Sequence, residues 1–105
     1  PMGVILAQNT LVKEDEKALS SFLKDYEASV NFVNEKSEEA AALMEKYGII
    51  AKKEIAIKAI PNCHIVLEQG ETAKIHLETF YKVLEALNPK AIGGTLPDEA
   101  FYYNK

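Results

Sequence analysis

The feature that most constrains this chain is a recurrence of apolar residues at intervals of three and four. Leu19, Phe22, Leu23, Tyr26, Val30 and Val33 follow it without a break. At 3.6 residues per turn such positions share one face of a helix. Lys17, Lys24, Asp25, Glu27 and Asn31 fall on the other face. The spacing predicts a long amphipathic helix reaching about Glu35. The acidic run Glu14-Asp15-Glu16 suits the positive end of its dipole. Asn9 and Thr10, just upstream, are suited to capping a helical turn.

One apolar stripe needs others to cover it, and the chain supplies them. Ser37 is expected as an N-cap, with Glu38 and Glu39 in the first turn. Ala40, Leu43, Met44 and Tyr47 then make a stripe, and Gly48 fits a C-terminal stop. Ala40-Ala41-Ala42 keeps that helix slim enough for close packing, and Ile49-Ile50 reads as a buried connector. Lys52–Ile60 reads two ways. Ile55, Ile57 and Ala59 alternate as in a strand, while Ile55, Ala56, Ala59 and Ile60 make a helical face. The Lys and Glu content, with Pro61 as a stop, favours helix. A last helix is expected from Glu71 or Thr72, with Ala73, Leu77, Phe80, Val83, Leu84 and Leu87 inward and Asn88-Pro89 at its end.

Two short runs break the helical period. Gly3-Val4-Ile5-Leu6-Ala7 and His64–Leu67 are apolar, rich in β-branched residues and only a few residues long, which favours buried strands. The first would have to pair with the second, with another protomer or with a part of the protein outside this sequence. The expected fold is therefore α/β and mostly helical, with about four helices and one or two short strands. We read residues 1–105 as a single partial domain. Residues 90–105 form an irregular tail, since Gly93-Gly94 and Leu96-Pro97-Asp98 are turn formers. Phe101, Tyr102 and Tyr103 are expected to draw that tail back onto the helices.

Composition narrows the functional classes. The chain has 105 residues, enough for one core. Hydrophobic residues make up 48% and charged residues 27%, a globular balance. The net charge is −4 with lysines interleaved among acids, unlike the basic stripe of a nucleic-acid binder. No apolar stretch approaches the roughly 18 residues of a membrane span, and no signal-peptide pattern is present. The Pro1-Met2 opening fits a processed initiator or a boundary inside a longer sequence.

Ala59–Asn88 holds the single cysteine and both histidines, so chemistry is sought there first. A nucleophilic Cys63 needs a base within hydrogen-bond reach. On a strand, Cys63 and His64 would point to opposite faces, which leaves His76 as the other partner. Cys63 is expected to be half buried and structural. Cys63, His64 and His76 lack the spacing of a metal site. Gly93-Gly94 lacks the pattern of a phosphate loop. Glu38-Glu39 suits a helix start, and Glu78 and Lys82 suit a solvated helix face. The reading is of no enzyme, no cofactor and no metal.

Several segments together resemble a known family. They are Ser37-Glu38-Glu39-Ala40-Ala41, Met44–Ile49, Lys58-Ala59-Ile60-Pro61-Asn62-Cys63-His64-Ile65-Val66, and Leu87-Asn88-Pro89 through Gly93-Gly94-Thr95-Leu96-Pro97-Asp98 to Phe101-Tyr102-Tyr103. They look like the C-terminal part of bacterial ABC-transporter substrate-binding proteins of the nitrate, sulfonate and taurine type, which have the type II periplasmic binding-protein fold. Pro1-Met2-Gly3-Val4-Ile5-Leu6 is similar to the strand that returns from the second lobe to the first. The resemblance covers nearly the whole chain and about the last third of the family's usual length. It implies a non-catalytic solute-binding component that works outside the cytoplasm and delivers a small molecule to an ABC permease. Within that implication, Met2, Gly3, Asn62 and His64 are the candidate ligand-binding residues, since Asn and His both donate and accept hydrogen bonds. A small helical module that self-associates, without ligand, is the alternative.

Overall fold

A computed structural model describes residues 1–104. The fold is mostly helical, and the described residues form five α-helices and no strand. The helices are α1 (Asn9–Glu14), α2 (Glu16–Glu35), α3 (Ser37–Lys46), α4 (Lys53–Cys63) and α5 (Gly70–Leu87). Two short 3₁₀ turns follow, Pro89–Ile92 and Glu99–Phe101. The chain forms two compact units. One comprises Ala7–Leu67, the other Pro1–Leu6 with Glu68 onward.

The unit of α1 to α4 holds the buried core. Asp15 separates α1 from α2, and its carboxylate accepts a hydrogen bond from the Ala18 amide at 3.1 Å. That bond satisfies one of the free donors at the helix start, where negative charge also suits the dipole. Leu19 is buried on α2. The tightest packing lies between α3 and α4, where Ala41, Ala56 and Ile60 are buried and Val33, Met44, Ile50 and Ile57 close around them. Ala41 is 0% exposed and Ala56 2%. The small side chains expected to keep α3 slim are what let the two helices meet so closely.

The ends of α3 and α4 depart from the sequence reading by a residue or more. Lys36, not Ser37, occupies the cap position of α3, and Ser37 is its first helical residue. Gly48 does end that helix, at φ 70°. Its amide donates to the Glu45 carbonyl at 3.1 Å, and the Ile49 amide donates to the Met44 carbonyl at 2.8 Å. This is the paired closure of a Schellman motif. Glu45 also starts the next helix, because its carboxylate accepts from the Lys53 amide at 2.6 Å.

Pro61 does not stop α4. The helix continues through it to Cys63. A proline in the last turn removes one amide donor and crowds the carbonyl four residues back. The Asn62 side chain donates to the Lys58 carbonyl at 3.1 Å, one residue beyond the Ile57 carbonyl that Pro61 leaves without its amide. His64 then turns the chain out of the helix with φ 50°.

Both expected strands are absent. Gly3–Ala7 and His64–Leu67 have no regular secondary structure. A strand exists through its ladder of backbone bonds to a neighbour. The Ile65 carbonyl instead accepts from the side-chain amide of Asn34 at 2.8 Å. In Gly3–Ala7 the β-branched residues have no ladder to join. The helical part of the expected architecture holds, and the strand part does not.

In the second unit, α5 is preceded by Gln69 and ends at Asn88. Asn88 also opens the following turn, its side chain accepting from the Lys90 amide at 3.2 Å. The tail returns to α5. Lys74 bonds both carboxylate oxygens of Glu99 at 2.6 Å, and Asn104 donates to Glu71 at 3.1 Å. No helix among the described residues is long and apolar enough to cross a membrane.

Candidate functional site

The four candidate residues fall in different parts of the molecule. Met2 and Gly3 belong to the second unit, where they line an open apolar depression with Pro1, Val4, Leu77, Phe80 and Tyr81. Pro1–Val4 lies beside Leu77, Phe80 and Tyr81 of α5 there, so Met2 presents a long apolar side chain and Gly3 a bare backbone. Asn62 and His64 belong to the first unit, in and just beyond the last turn of α4. Both are exposed. One face of the Asn62 amide is engaged with Lys58, and its oxygen is an acceptor by chemistry.

His64 stands in the left-handed region, which is rare outside glycine and asparagine. It sits where the chain leaves the helix, next to carbonyls that have no further amide partner in α4. The sequence reading placed His64 on a strand, and its backbone geometry was therefore not foreseen.

Cys63 is exposed and free, in contrast to the half-buried position expected for it. It is the last residue of α4 and not part of a strand, so the argument from opposite strand faces does not apply to it. His76 lies on α5, and its Nδ1 is 2.6 Å from Glu68 Oε2. That contact gives the imidazole a carboxylate partner and fixes the approach to α5. Both partners remain well exposed, so the pair contributes little to stability. Among the described residues, no three side chains of His, Cys, Asp or Glu gather in a way that could hold a metal ion.

The most constrained polar cluster is one the sequence reading did not find. Lys74 on α5 has a side chain 13% exposed, against 82% for its partner Glu99. Its Nζ also lies 5.9 Å from the centre of the Tyr102 ring, within reach of a cation–π contact. The hydrogen bond to Glu99 raises the Lys74 pKa above the usual lysine value, helped by the charges of Glu99, Glu71 and Glu78 and opposed by desolvation. Burial raises the Tyr102 pKa, and Glu78 adds to the rise. The Tyr102 hydroxyl is buried and has no hydrogen-bond partner among the described residues. Phe101 meets Tyr102 edge-on at 5.2 Å and Tyr81 at 6.4 Å. Every one of these contacts joins the tail to α5 or to itself. The cluster holds a segment in place.

Compared with known proteins, the chain matches no family model, no curated protein and no solved structure.

Proposed function

We propose that this chain is the C-terminal part of the solute-binding component of an ABC-type importer. Such a component is non-catalytic, works outside the cytoplasm and delivers a small molecule to a membrane permease. The observation that carries the reading is the state of Val4, Ile5 and Leu6. They have the composition of a buried strand, yet they are exposed and without a ladder. A segment of that kind makes physical sense as one strand of a sheet contributed by a larger protein, as in the type II periplasmic binding-protein fold that the sequence resembles. The exposed apolar side chains of α5 support the same view, since a large uncovered apolar area marks an interaction surface. Asn62, His64, Met2 and Gly3 are the residues we assign to the solute.

The test is a thermal-shift screen of the protein carrying this chain against small anionic and zwitterionic solutes. A bound solute raises the melting temperature according to its concentration over Kd. Replacing Asn62 and His64 together by alanine is expected to remove that rise while leaving the unliganded melting temperature within a few degrees. A rise that survives the double substitution removes the site assignment.

A second reading, a helical module that self-associates, is favoured by the exposure of Phe80, Val83 and Leu87 along α5. It predicts indifference to every solute and a concentration-dependent dimer in sedimentation velocity.

A further inference from the structure

We draw no further inference here: the strongest candidate, the exposed apolar flank of α5 formed by Phe80, Val83 and Leu87, carries nothing because no feature of the structure shows what covers it.

Discussion

Two residues with positive φ make opposite demands on their side chains. Gly48 closes α3 at φ 70°, and a methyl group added there would meet nothing within 4 Å. The cost of Gly48→Ala is therefore purely conformational, about 1 kcal/mol from the left-handed backbone. Urea unfolding followed by circular dichroism should show a lower midpoint with an unchanged slope. His64 is the reverse case. It holds φ 50° with a full side chain, at a position where glycine is the usual helix terminator. His64→Gly removes a strain of roughly 1–2 kcal/mol and gives back about half of it as unfolded-state entropy. The expected net is a gain of about 0.5–1 kcal/mol, read as a higher urea midpoint. A lower midpoint would mean that the imidazole supports the fold by contacts of its own. Strain retained at an exposed residue is a common mark of function, and His64 is assigned to the solute on other grounds. Stability and solute affinity should thus move in opposite directions in this variant.

At the scale of elements, the tail of Glu99–Asn104 is tied to α5 mainly through Lys74. Both Lys74 and Tyr102 have pKa values raised by folding. A group whose folded value lies above its unfolded value contributes stability fully below the unfolded value. That contribution is lost as pH rises through the folded one. The unfolded values are about 10.4 for lysine and about 10 for tyrosine. Docking of the tail should accordingly be constant from pH 6 to 9 and weaken only above about pH 10. The aromatic proton shifts of Phe101, which does not titrate, report on this directly. Lys74→Met should move them at neutral pH already. A shift change centred between pH 6 and 9 would assign the tail to some other titrating group. The Lys74–Glu99 pair in this cluster was not legible in the sequence, because the two residues lie 25 positions apart and no local pattern links them. The helices were legible for the converse reason. Leu19 through Val33 and Ala73 through Leu87 carry a period that a few turns suffice to display. Ala40 and Ala41 also signalled the close packing of α3 on α4 correctly. Pro61 misled because a proline removes one backbone bond and crowds one carbonyl without necessarily ending the helix at that point. Val4-Ile5 and Ile65-Val66 misled because β-branched composition records suitability for a sheet, and a strand also requires a neighbour. Around Asn62 and His64, helix α4 itself was readable, but its continuation past Pro61 to Cys63 and the left-handed turn at His64 were not.

At the scale of the whole molecule, the balance between covered and uncovered apolar groups decides how the chain behaves alone. Buried hydrophobic residues are Leu19, Ala40, Ala41, Ala56 and Ile60, three of them alanines, and all belong to the unit of α1 to α4. Alanine burial removes little apolar area from water, so this core supplies only a small part of the usual driving force. The unit built on α5 has no buried hydrophobic residue among those described, while Val4, Leu6, Val83 and Leu87 are each more than half exposed. A chain of this kind is expected to be marginally stable by itself and to bind dyes that fluoresce on apolar surfaces. The Val4-Ile5-Leu6 segment allows this to be tested against the proposed function. It contributes no helix and, on the present reading, waits for a sheet that other parts of the protein supply. Substituting Val4→Ser, Ile5→Thr and Leu6→Ser together should lower dye fluorescence of the isolated chain and leave its far-ultraviolet helical signal unchanged. In the protein that carries this chain, the same three substitutions should be destabilising by several kcal/mol, because each would place a hydroxyl in a sheet interior. Equal and small effects in both settings would show that the segment stays on the surface in the larger protein too. The reading of the chain as part of a two-lobed binding protein would then lose the observation on which it rests.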